Sequence, residues 1–72
     1  MIKGHIGQKL IARRNEVGLS HEELARAVAV HPSKILHWEA GSAHIPASLL
    51  WNIAIVLEVE ITYFFEGLHP LA

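Results

Sequence analysis

Residues 20–41 read SHEELARAVAVHPSKILHWEAG, from Ser20 to Gly41, and this stretch decides the fold. Ser20 is a good N-cap, and Glu23 three residues later completes a capping box, each side chain satisfying the other residue's backbone N–H. Leu24, Ala25 and Val28 then share one apolar face at helical spacing. Ala29 and Val30 carry a turn. Pro32 opens a second helix at its first position, where a missing N–H costs nothing. Ile35 and Trp38 are the inward face of that helix, and Gly41 closes it as the residue that takes a left-handed conformation. The stretch predicts two short crossed helices joined by a tight turn.

The flanks extend this pattern. A first helix is expected from about Ile6 to Val17, stopped by Gly18, with Ile6, Leu10 and Arg14 on one face. After a loop from Ser42 to Ile45, Pro46 starts a fourth helix that runs to about Leu57. Its inward residues are Leu50, Ile53, Ala54 and Leu57. Val59 and Ile61 continue the core, a short fifth helix carries Tyr63, Phe64 and Phe65, and Gly67 ends it. Leu68 to Ala72 read as a frayed tail. Only VLEVEITYF, from Val56, alternates as a strand would, and it is short beside the capped helical pattern before it. The expectation is an all-α, five-helix domain over residues 1–72, with its core from about 5 to 67.

With 72 residues, one domain is the sensible count. A chain of this size buries only about 60% of its unfolded surface, so its core must be tightly helical or completed by a partner. There are no cysteines, which excludes a disulfide framework and a thiolate metal site. No apolar run approaches ~18 residues and no signal peptide is seen. A soluble, cytoplasmic protein is expected. The six histidines do not make a metal site: His31 and His37 do not stack on one helical face, and no Cys or Asp/Glu cluster completes a tetrahedral set. The serines sit at helix starts and loops, without a base and an orienting group. Neither catalysis nor a cofactor is expected.

The whole pattern resembles the phage-repressor or Cro-type helix-turn-helix family. The resemblance rests on IGQKLIARRNEVGLSHEELARAVAV, on the IxxWExG around Ile35, Trp38, Glu39 and Gly41, and on LEVEITYFFEG, and it spans about His5 to Gly67. It implies a five-helix, repressor-type domain that binds operator DNA as a dimer, with the third helix in the major groove. It also implies a partly buried bidentate ion pair between Arg14 of the first helix and Glu39 before the glycine of the third.

The resemblance assigns DNA contacts to positions held here by His21, His31, Pro32, Ser33, Lys34, His37 and His44. Specific readout calls for bidentate Arg, Asn or Gln on base edges. Pro32, Leu36 and Ala43 offer none, apart from apolar contact with a thymine methyl. Lys34 is the one cation on this face, with Arg26 beside it on the second helix, and histidine is mostly neutral at pH 7. The net charge is −1 and the pI about 6.6, whereas duplex-binding domains often exceed ~9.

Apolar residues also stand where such a fold faces water. Hydrophobic residues make up 51% of the chain. Ile11, Leu36, Leu49 and Ile55 fall outside the predicted inward faces, with Trp51 and Val56 at the boundary. A group of this kind marks an interaction surface, and tryptophan is a common anchor of one. Two functions therefore stand. One is a protein-binding module on a repressor-type scaffold, as in an engineered binder, using Leu36, His37, Ala40, Ala43, His44, Leu49, Trp51 and Ile55 against another protein or a second copy. The alternative is a dimeric DNA-binding transcriptional regulator. The surface composition favours the first.

Overall fold

A computed structural model describes residues 2–68. Four α-helices follow one another, α1 (Ile2–Val17), α2 (His21–Ala27), α3 (Pro32–Ala40) and α4 (Ala47–Val56), and a 3₁₀ helix (Ile61–Phe65) completes the order. There is no strand among the described residues.

All four α-helices end in the same way. A residue with positive φ follows the helix, and the next N–H reaches back five residues to a helical carbonyl. These residues are Gly18 (φ 84°), Ala29 (φ 61°), Gly41 (φ 75°) and Glu58 (φ 58°). The returning bonds are Leu19 to Arg14 at 3.1 Å, Val30 to Ala25 at 2.9 Å, Ser42 to His37 at 3.0 Å and Val59 to Ala54 at 3.0 Å. This geometry satisfies carbonyls that a helix end leaves bare and places an apolar residue against the helix it closes. Leu19, Val30 and Val59 do so, each packing on the core.

The start of α2 is the capping box expected from Ser20 and Glu23. Ser20 N–H donates to Glu23 Oε1 at 2.8 Å, and Glu23 N–H donates to Ser20 Oγ at 3.0 Å. Helix α3 starts on His31 and Pro32 and closes on Gly41.

The core draws on every element. Leu10, Leu24, Ala25, Ile35, Ile53, Leu57 and Phe64 are fully buried, and Val28, Trp38, Leu50 and Ala54 nearly so. The inward set expected for α4 is therefore the observed one. Helices α1 and α3 meet at a glycine: a Cβ on Gly7 would lie 2.6 Å from the carbonyl oxygens of both Trp38 and Glu39.

Three details differ from expectation. Helix α1 begins at Ile2, not near Ile6. Its first turn is held by tertiary contacts, because Gly4 lies against Gly41 and His5 Nε2 donates to the Glu66 carbonyl at 2.6 Å. The fifth helix is 3₁₀, not α. Its bonds span three residues, Tyr63 to the Glu60 carbonyl at 2.9 Å and Glu66 to the Tyr63 carbonyl at 3.2 Å. Such tighter bonding is usual in short segments, and Phe64 in the core pins this one. Of the tail, Leu68 donates to the Phe65 carbonyl at 3.1 Å, and residues 69–72 lie outside the described residues.

Candidate nucleic-acid interface

Helix α3 buries Ile35 and Trp38 and exposes Ser33, Lys34, Leu36, His37 and Ala40. Its outer face is thus a stripe of Ser33, Leu36, His37 and Ala40 at spacings of three, four and seven, flanked by Lys34. His31 caps the helix: its Nδ1 accepts the Ser33 N–H at 3.1 Å and lies 2.9 Å from Ser33 Oγ. His37 Nδ1 lies 3.1 Å from Ser42 Oγ, whose hydroxyl donates to the His37 carbonyl at 3.1 Å. Both rings are held by their neighbours through Nδ1, which orients Nε2 away from those contacts. Lys34 makes no ion pair among the described residues, and neither do Arg26 and Lys3.

The other cations are engaged. Lys9 lies 3.6 Å from Glu66 and 4.8 Å from the centroid of the Tyr63 ring. Arg13 Nε donates to the Leu57 carbonyl at 2.8 Å. Arg14 and Glu39 form the bidentate pair, Nε to Oε2 at 2.5 Å and Nη2 to Oε1 at 3.3 Å. Arg14 also donates from Nη1 to the Leu19 carbonyl at 2.9 Å. One guanidinium thereby joins α1, α3 and the α1–α2 connection.

His21 belongs to this cluster. Its Nε2 donates to Glu39 Oε1 at 2.9 Å, and Glu39's side chain is 8% exposed. The position that family resemblance assigned to a phosphate contact is turned inward here, because the nearest strong acceptor is the buried carboxylate. Pro32 is half-buried.

The apolar surface set divides in two. Leu36 (51% exposed), Trp51 (57%) and Ile55 (62%) stand out from the surface. Leu49 and Ala43 do not. Both are half-buried against the core, so the expectation that Leu49 faces outward is corrected: α4 lies close enough to its neighbours to enclose it. Trp51 and Ile55 flank an open hollow of about 270 Å³ with Val59, Ile61 and Thr62. A smaller hollow of about 50 Å³ is lined by Lys3, Ala43 and His44. Lys3 was not among the residues singled out in the sequence. Its sequence signal is a lysine one turn before the Ile6 at which the apolar pattern of the first helix begins.

A family model described as helix-turn-helix (HTH_3) matches residues 10–64. The chain belongs to this helix-turn-helix family. It is 40% identical over 68 residues, 94% of its length, to an uncharacterized transcriptional regulator in the ATPase CF(0) region of Rhodospirillum rubrum, and it spans 63% of that relative. Among solved structures it is similar to the restriction-modification controller protein C.AhdI from Aeromonas hydrophila. That match has TM-score 0.83 and 27% identity, and covers 88% of this chain and 96% of that one. The fold is also that of the clp gene regulator ClgR from Corynebacterium glutamicum, at TM-score 0.87 and 23% identity, over 90% of this chain and 69% of that one.

These relatives correct the functional reading favoured by surface composition. An engineered protein-binding module is not supported, and the helix-turn-helix regulators of bacteria account for the chain better. Part of the apolar excess is core packing by Leu49 and Ala43. Among the described residues, no helix is long and apolar enough to cross a membrane.

Proposed function

We propose that the chain is a DNA-binding transcriptional regulator that lays α3 in the major groove of duplex DNA. The observation that carries this reading is the outer face of α3, where Lys34 and His37 are exposed on the capped second helix of the helix-turn-helix pair. Lys34, His37 and His31 are the base-edge candidates. His44, Arg26 and Lys3 are the backbone candidates. The comparisons support the class of protein, since the relatives are named as transcriptional regulators.

The regulator works as a two-fold dimer in this reading. Trp51 and Ile55 stand exposed beside an apolar hollow, so each copy offers both a projecting indole and a recess. A surface with both is self-complementary under a two-fold axis. Two copies of α3 then meet successive half-sites one helical turn apart.

The test is a fluorescence-anisotropy titration with random duplex DNA at low and at physiological salt, pH 7.5. The expected result is binding that weakens with salt, with a log–log slope of about −3 per protomer if three unpaired cations each displace one counterion. Lys34→Ala lowers that slope by about one. A protein that leaves duplex DNA free even at low salt would sink the proposal.

A further inference from the structure

We infer that Leu36 is a specificity-determining residue that reads the 5-methyl group of a thymine, so that the preferred duplex carries a T·A pair under the second turn of α3. The inference rests on the DNA-binding reading of α3 and deepens it. Leu36 is 51% exposed, although most large apolar residues of α1–α4 are buried or half-buried. It lies in the outer stripe with Ser33, His37 and Ala40. That stripe and its flanking Lys34 contain no Arg, Asn or Gln, so bidentate reading of adenine is not available to α3 and Lys34 is its one candidate reader of guanine. His31 and Ser33 are engaged with each other through Nδ1 and Oγ, which leaves single polar groups as readers: the Lys34 ammonium and the Nε2 atoms of His31 and His37.

In the major groove, an exposed leucine confronts donors or acceptors at every ordinary base. Thymine alone presents an apolar group there, its C5-methyl. Leu36 against that methyl removes apolar surface of both from water. Against any other base it strips water from polar edges and returns no hydrogen bond. Ala40, one turn further along the same stripe, keeps that flank of the helix apolar and narrow.

The experiment is a cycle with two proteins and two DNAs. A random-sequence 30-bp duplex library is enriched on the wild-type chain, and the enriched pool is copied once with thymidine and once with deoxyuridine, which lacks only the methyl. Wild type and Leu36→Ala are titrated on both pools at one salt concentration. Burying one methyl corresponds to about fourfold in affinity. Wild type is expected to lose about fourfold per half-site on the deoxyuridine pool, while Leu36→Ala, weaker on the thymidine pool, loses little further. Equal binding of wild type to both pools overturns the inference, and so does a loss of the same size in both proteins, which assigns the methyl to another residue. Either result leaves the DNA-binding reading standing. No salt-sensitive binding to either pool overturns both. Leu36 makes little of the core, so the variant keeps its fold, which far-UV circular dichroism checks.

Discussion

Gly7 of α1 packs directly on the carbonyl oxygen of Glu39 at the end of α3, in space where a Cβ would come within 2.6 Å. The obstruction is backbone, so it has no rotamer to retreat into. Gly7→Ala must push α1 and α3 apart and is expected to cost about 1–3 kcal/mol. Thermal unfolding would register this as a fall of about 4–8 °C for each kcal/mol. An unchanged midpoint would mean that the two helices are free to separate at this point.

Glu39 is the hub of the ionic cluster, accepting from Arg14 and His21. Glu39→Ala leaves a guanidinium, 11% exposed, with only the Leu19 carbonyl as a protein partner. Removing one member of a buried pair costs about 3–5 kcal/mol. Arg14 keeps some contact with water, which points to the lower end. His21→Gln retains a donor for the carboxylate and should cost less than Glu39→Ala. Urea unfolding of the two variants decides, and equal losses would mean that His21 is as central to the cluster as Glu39.

Ala29 and Glu58 hold positive φ without being glycine. That conformation costs a side-chain-bearing residue about 1–2 kcal/mol. Glycine relieves it but loses about 0.4–1 kcal/mol through its freer unfolded chain. Ala29→Gly and Glu58→Gly are each expected to stabilise by about 0.5–1 kcal/mol, and nearly additively if the two sites are independent. A lowered urea midpoint in either variant would show that its turn does not need the left-handed conformation.

The Ser20 backbone N–H, and then the Ser20 hydroxyl, hold the Glu23 carboxyl below its ordinary value of 4.5. A carboxylate depressed in the folded state adds stability above its unfolded pKa and loses it as the pH falls through the folded one. Wild type should therefore exceed Glu23→Gln in stability at pH 7, with the gap narrowing below about pH 4.5. Urea titrations at pH 7 and at pH 3 compare them. A gap that persists undiminished at pH 3 would assign it to packing and not to charge.

Trp51→Glu and Ile55→Glu place a charge on each side of the hollow at the end of α4. Both residues are largely exposed, so the helical spectrum should survive the changes. Light scattering on the wild type should give twice the 8.0 kDa of one chain, and the variants should fall to one. A wild type that stays monomeric up to high concentration removes the dimer from the proposal.

Much of the fold was legible in chain order. The Ser20–Glu23 box, Pro32 at the start of α3, Gly18 and Gly41 after their helices, and the inward faces of α3 and α4 are all visible within a turn or two of sequence. Ala29 is legible as a turn residue but its left-handed conformation is not, and Glu58 is legible as neither, because neither residue type advertises positive φ. Leu49 was misread for a different reason: helical spacing gives the direction of a side chain but not how near the next element lies. The family was readable as well, since its spacing of capped helices survives in IxxWExG and its flanks.

The candidate site was harder. His21 carries no local sign of its partner, because Glu39 lies 18 residues on and faces it only once α2 and α3 have crossed. Lys3 reaches the rim of the α3–α4 loop only because α1 starts earlier than its apolar pattern suggests. Caps, turns and helix faces are set by bonds spanning three to five residues, and such bonds are written in neighbouring letters. Gly7 under Glu39, the inward turn of His21 and the exposure of Trp51 depend on where separate helices come to rest. That is decided by the packing of the whole core around Leu10, Ile35, Ile53 and Phe64, and by no single stretch of the chain.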